Sequence, residues 1–261
     1  MSLFLQMIDS HAHLIWESFR DDLELVMERA HAAGVEGFIH SCVHTDDLPQ
    51  MFAVQKKYPN VYVSAGVHPC DAHRWTDKCE EDILENQEKI ISIGETGLDY
   101  YHKDCPVPVQ MEVFRKQCKL AKKLSLPLIV HCRDAFEDTL EILREEDPGK
   151  GVMHCYTGNA EYSAKFWDLG FYTSFSGCVT FKSATDLRDA AREIPLERTL
   201  IETDCPFLAP QKYRGKRNEP SFLPEVASVL ADVHGVRVEK IDEVSTLNTK
   251  NLFRGRLVGV M

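Results

Sequence analysis

A chain of 261 residues with 44% hydrophobic and 27% charged side chains has an ordinary globular composition and can bury a sizeable core. Its formal net charge of −11 excludes a broad basic footprint for nucleic acid, so any polyanion must be met locally, by a metal centre or a small basic cluster. No apolar run approaches a membrane span, and Met1–Leu5 has neither the length nor the basic start of a signal peptide; the nine cysteines, odd in number and unpaired in spacing, suit reduced thiols in the cytoplasm.

The first predicted strand, Met7 to His13, carries Asp9, His11 and His13 at alternating positions, which places all three side chains on one face. Apolar residues at helical spacing follow (Leu23, Val26, Met27, Ala30) and stop at Gly34. Further β-type runs are Val35 to Val43, Val61 to Pro69 and Ile90 to Asp99. A long helix marked by Val113, Cys118, Leu120, Ala121 and Leu124 ends before Pro127, and then come Leu128 to Cys132, Val152 to Cys155, Phe171 to Gly177 and Thr199 to Asp204. Pro206 to Pro224 reads as a long loop, with closing helices from Phe222 onward. Apolar strands alternating with helices imply parallel strands covered on both faces. Eight such units in about 250 residues predict a (β/α)8 TIM-type barrel of the α/β class. The rival, a doubly wound open sheet, needs a glycine-rich phosphate turn after its first strand, where this chain has His-Ala-His. With no linker or repeat in sight, residues 1–261 are expected to form a single domain.

Active sites of such barrels sit at the C-terminal ends of the strands. There the sequence places His11 and His13, His68, Glu95, His131, His154 and Asp204, although the eleven histidines could have scattered over helices as His31 and His234 do. Four imidazoles and two carboxylates (His11, His13, Glu95, His131, His154, Asp204) exceed what one tetrahedral zinc needs and suit two divalent cations sharing a bridge. Glu95 is the expected bridge, with His11, His13 and Asp204 on one ion and His131 and His154 on the other. Such an N/O set accepts Mg, Mn or Zn. Cys132, Cys155 and Cys205 each follow a ligand position, and strand alternation turns them to the opposite face as small buried hydrophobes. Arg133 shares the face of His131 and offers a fork for phosphate, unless Asp134 or Glu137 pairs with it. Arg214, Lys216 and Arg217 form a dense basic cluster on the loop after the eighth strand, a second candidate for substrate phosphate. Glu202 shares a face with Asp204 and is expected to orient ligands from behind.

Asp9-Ser10-His11-Ala12-His13, Ala65-Gly66-Val67-His68-Pro69, Gly94-Glu95-Thr96-Gly97-Leu98-Asp99-Tyr100, Pro127 to Ala135, His154-Cys155-Tyr156-Thr157-Gly158 and Glu202-Thr203-Asp204-Cys205-Pro206 follow one another in the order of a known family. The chain resembles the TatD family of metal-dependent hydrolases, a branch of the amidohydrolase-like barrels. The resemblance implies a cytoplasmic, metal-dependent deoxyribonuclease with paired metals on the six positions above. It also implies that Glu95 stands where related barrels use a carbamylated lysine. On that reading the ions supply hydroxide at neutral pH, Asp204 is the general base, and Arg133 and the metals offset phosphoryl charge. His68 holds the scissile phosphate or assists the leaving oxygen. The expected substrate is DNA, as single strands or ends, with no membrane and no obligate protein partner. The alternatives are a hydrolase of a small ester, amide, lactone or aminoacyl-tRNA on the same metal pair, and a non-catalytic metal-binding adaptor.

Overall fold

The computed structural model describes residues 6–257; Met1–Leu5 lies outside them. Eight strands, β1 (Met7–Ala12), β2 (Val35–His40), β3 (Val61–Ala65), β4 (Ile90–Asp99), β5 (Leu128–Arg133), β6 (Gly151–Met153), β7 (Phe171–Phe175) and β8 (Thr199–Ile201), form one sheet in sequence order. Neighbouring strands are parallel throughout. The ring closes just beyond β1 and β8, where Asp204 N–H donates to His11 C=O (3.0 Å) and His13 N–H to Cys205 C=O (2.9 Å). The fold is therefore a TIM-type barrel, as the alternation predicts.

Helices α1 (Leu23–Ala32), α2 (Leu48–Lys57), α3 (Asp77–Glu85), α4 (Val107–Leu124), α5 (Phe136–Glu146), α6 (Ala160–Asp168), α7 (Thr185–Glu193) and α8 (Leu223–His234) follow their strands, and α9 (Val238–Leu252) packs across β1 and β8. The first predicted helix and the long one before Pro127 appear as α1 and α4. Several strands are shorter than the sequence suggests. β3 gives way to a short 3-10 turn at Pro69 and β7 to another at Gly177, while β6 and β8 end before Cys155 and Asp204, which both take left-handed φ (+44° and +57°). Tertiary position overrides β propensity there, because the chain turns as soon as its side chains reach the mouth.

The outer core lies between sheet and helices and includes the fully buried Phe38, Phe114, Phe166 and Phe171. A smaller apolar cluster of Ile39, Tyr62, Ile91, Ile129, Val152 and Leu200 fills the lower barrel, floored by Leu252 and Phe253. Ile129, Val152 and Leu200 share strand parity with His131, His154 and Glu202, so the same inward face is apolar at the bottom and titratable at the top.

Two buried glutamines, seven residues or about two helical turns apart on α4, hold the ends of the third and fourth strands. Gln117 accepts from Val67 N–H (2.8 Å) and donates to Val67 C=O (2.9 Å) and Thr96 Oγ1 (2.7 Å). Gln110 accepts from Asp99 N–H (2.8 Å) and donates to Asp99 C=O and Cys105 C=O (both 2.9 Å). A buried backbone group left without a partner costs about 1–3 kcal/mol. Gln117→Leu, which strips both Val67 groups and Thr96, is therefore expected to lower stability by roughly 3 kcal/mol in urea titration. An unchanged midpoint would show that these bonds do not hold the strand ends.

Candidate metal centre

Six strand ends deliver side chains to one point. Glu95, on β4, is buried among the imidazoles and divides its two oxygens between them. Oε2 lies 3.2 Å from His11 Nε2 and 3.6 Å from His13 Nε2. Oε1 lies 2.8 Å from His154 Nε2, 3.1 Å from His131 Nδ1 and 3.3 Å from His68 Nε2. Asp204 Oδ1 completes the first side at 3.7 Å from His11 and 3.5 Å from His13. Backbone geometry allows this crowding. Gly97 sits at φ +132°, and a Cβ there would lie 2.0 Å from His131 C=O, so only glycine lets β4 run this close to β5.

The outward nitrogens of three of these rings are hydrogen-bonded, and that of the fourth, His154, stands against a carboxylate. His13 Nδ1 donates to Ser41 C=O (3.1 Å), and His11 Nδ1 bonds Ser41 Oγ (3.0 Å). His131 Nε2 donates to Asp99 Oδ2 (2.9 Å), and His154 Nδ1 faces Glu202 Oε1 at 3.4 Å. Each of the two donations, from His13 and His131, fixes a tautomer and aims the opposite nitrogen at the cluster. His68 differs: its Nδ1 accepts from Cys70 N–H (3.2 Å), so its Nε2 presents a hydrogen toward Glu95. The lone pairs of four imidazoles and two buried carboxylates thus converge on one volume; His11 Nε2 and His13 Nε2 are only 3.2 Å apart. A divalent cation is what such a donor set fits, and the oxygen and nitrogen mix suits a borderline first-row ion or Mg.

The electrostatics agree. Burial pushes Glu95 upward, yet His154, His68 and His11 outweigh it and hold the carboxyl well below the usual range. Asp204, likewise raised by burial, is brought down by the bond to His13 and the charges of His11 and His154. Both groups are carboxylates at neutral pH. Burial and His154 lower His11. Burial also opposes charge on His131 and His154, but Asp99 and Glu95 raise the first, and Glu95 and Glu202 carry the second well above its ordinary value.

Above the cluster opens a cleft of about 440 Å³ lined by His13, His68, Glu95, His131, His154 and Asp204 among others. Arg133 lines it too, exposed, with its guanidinium 4.8 Å from the Tyr101 ring centre rather than paired with Asp134 or Glu137. Arg214, Lys216 and Arg217 do not line this cleft, which departs from the phosphate-binding expectation. Arg214 lies over Phe181 and Lys216 over Tyr213. Arg217 is held by both oxygens of Asp22 (2.8 and 2.6 Å), by Ser18 C=O and over the Phe19 ring. Local rings and acids satisfy these cations, a competition that charge density in sequence does not reveal. Cys205 is buried as expected and Cys132 packs outward, accepting from Thr139 of α5; both Cys132 and Cys155 are half-buried and line the cleft, and at Cys155 the left-handed turn breaks the alternation. Asp99 was not singled out in sequence, although its even spacing from Glu95 on one strand was the available signal. Asp9 lies beneath the site, accepting from Thr203 N–H (2.9 Å) and Oγ1 (2.5 Å), and burial raises its carboxyl to about 7.

With this geometry in place, comparison with known proteins decides the family. The family model described as TatD related DNase matches residues 8–254. The chain belongs to the TatD family. TatD-family relatives cover nearly its whole length. YabD of Bacillus subtilis, named an uncharacterized metal-dependent hydrolase, is 44% identical over 255 residues, 95% of this chain and 99% of its own. The protein of Salmonella typhimurium named 3'-5' ssDNA/RNA exonuclease TatD is 33% identical over 257 residues, covering 95% and 98%. The crystal structure of YjjV, a TatD homologue from Escherichia coli K12, superposes with a TM-score of 0.91 at 28% identity over 96% of this chain and 99% of that one. The chain is accordingly a metal-dependent hydrolase with a His/Glu cluster that can hold metal. Among the described residues no helix is long and apolar enough to cross a membrane.

Two outcomes follow for metal uptake. A cation must displace the protons that Glu95, Asp99 and Glu202 keep on His131 and His154, so affinity is expected to rise with pH and binding to release protons near pH 7. Calorimetry in buffers of different ionisation enthalpy reads this directly, and a buffer-independent heat would contradict it. Asp99→Asn, which leaves His131 in place but removes the charge behind it, is expected to weaken metal binding by about 10–100-fold. Wild-type affinity in that variant would leave Asp99 without a role in the site.

Proposed function

We propose that this hydrolase is a deoxyribonuclease that cleaves phosphodiester bonds in single-stranded DNA or at strand ends. The observation that carries the reading is Arg133. Among the described residues it is the one lysine or arginine lining the cleft, it lies beside the cluster, and it is free of a carboxylate partner. A guanidinium resting over the Tyr101 ring keeps its fork available for phosphoryl oxygens. The name of the Salmonella relative, an ssDNA/RNA exonuclease, supports a nucleic-acid substrate. Nine free thiols support a reducing compartment, the cytoplasm.

His11, His13 and Asp204 would hold one divalent cation (Mg, Mn or Zn), His131 and His154 the second, and Glu95 would give one oxygen to each. When bound, such a pair lowers the pKa of water to about 7 and offsets charge on the phosphoryl group. Asp204, kept ionised and held against His13, accepts the proton of the attacking water as general base. Arg133 binds the non-bridging oxygens and is strongest when their charge is greatest. His68 supplies the Nε2–H that its Cys70 contact turns toward the cluster, donating to the phosphate or to the leaving oxygen. Glu202 and Asp99 keep His154 and His131 in the required tautomer.

The test is metal-stripped protein supplied with Mn or Zn and offered a short single strand and a small carboxylic ester. DNA cleavage is expected to return with metal and to exceed ester turnover. Arg133→Ala should raise KM for the strand and flatten the salt dependence by about 0.7 in slope, the value of one phosphate contact. Ester turnover that collapses in Arg133→Ala while DNA cleavage is untouched would overturn the nuclease reading.

A further inference from the structure

Six large hydrophobic side chains are exposed among the described residues, and the three aromatic ones all stand at the mouth of the cleft. Tyr101 (58% exposed) carries Arg133 on the β5 side. Trp16 (40%) and Phe207 (42%) face each other on the opposite side, between the ends of β1 and β8, with ring centres 5.0 Å apart at 77°. Exposing two such rings forgoes part of their burial, and the surrounding structure holds them there.

Each ring follows a metal-site residue by three positions and is tied to it. Trp16 N–H donates to His13 C=O (3.3 Å) and Phe207 N–H to Asp204 C=O (3.0 Å). The fully buried Asn218 fixes Phe207 again, donating to its carbonyl at 2.6 Å. Both rings lean edge-on against His13, at 6.0 and 6.1 Å between centres. The aromatic surface therefore begins one imidazole away from the cluster and cannot drift relative to it.

The rest of the lining narrows what this surface can take. Asp71 and Asp104 lie on the wall, and among the described residues Arg133 is its single permanent cation. A second and third phosphate would meet acid rather than base. A flat, uncharged group one sugar away from a phosphate meets the rings instead, and the stacking face of a nucleobase has that shape and distance. We infer that Trp16 and Phe207 form a stacking subsite for the unpaired base of a DNA nucleotide flanking the scissile phosphate, selecting single strands over duplex without reading sequence. Every base offers a π-face, so such a subsite is tolerant of identity, whereas a paired base has no free face to give. The inference rests on the nuclease reading above and assigns its strand preference to these two residues.

The experiment compares a short oligothymidylate with a tetrahydrofuran abasic strand of the same length, which carries the same phosphates and no bases. In wild-type protein loaded with Mn, KM for the base-bearing strand is expected to be lower by about tenfold, as one stacked base is worth. Trp16→Ala and Phe207→Ala should each draw that ratio toward one, while Leu25→Ala, an exposed change on α1, should keep it. Oligothymidylate should also quench tryptophan fluorescence of the metal-free protein, and Trp16→Ala should abolish the quench. A wild-type ratio of one, or a ratio unchanged in both ring variants, overturns the subsite while leaving the nuclease reading standing. Failure of wild-type protein to cleave either strand removes both.

Discussion

The carboxylate of Glu95, with one oxygen turned to His11 and His13 and the other to His131 and His154, is the contact on which the rest of the molecule depends. A buried carboxylate is tolerable only when opposite charge or hydrogen bonds surround it. The chain meets that demand with imidazoles drawn from four different strand ends, which only a closed barrel can bring together. Much of the architecture serves this position. Gly97 lets β4 approach β5, Gln110 and Gln117 hold the fourth strand from behind, and the bonds between Asp204 and His11 and between His13 and Cys205 close the ring at the same height.

Around that carboxylate the histidines are not equivalent, and their outer partners make them different. A carboxylate bonded behind His131 and a carbonyl behind His13 put the hydrogen on the far nitrogen and leave a lone pair facing inward, and Glu202 stands 3.4 Å behind His154. A backbone N–H behind His68 does the reverse. Five rings within one small volume thus divide into electron-pair donors, which suit a cation, and one hydrogen donor, which suits a phosphate or departing oxygen. Second contacts, more than the identity of the residue, set the chemistry of each ring.

The parts of this arrangement governed by periodicity were legible in sequence. Alternation along β1 placed Asp9, His11 and His13, the strand-end rule placed Glu95, and eight apolar runs with helices between them specified the barrel. Asp99 obeys the same parity and could have been read the same way. What escaped depends on contacts between residues far apart in the chain. The charges of Arg214, Lys216 and Arg217 suggested a phosphate site, but Phe181, Tyr213 and Asp22 claim them. Gln110 and Gln117 fall by period on the apolar face of α4 with Val113, Phe114, Cys118 and Ala121, but helical spacing does not say which strand ends they serve. Trp16 and Phe207 follow strands in irregular backbone, where no period says which way a ring will point. The left-handed residues Cys155 and Asp204 end their strands early for a reason that only the shape of the mouth supplies.

The central claim is that this cluster holds two divalent cations through one carboxylate, and elemental analysis of metal-loaded protein tests it most directly. Two ions per chain in the wild type, falling to one or fewer in Glu95→Gln with the fold intact by circular dichroism, is the predicted result. A wild-type content that saturates at one ion, or a Glu95→Gln protein that still holds two, would contradict it.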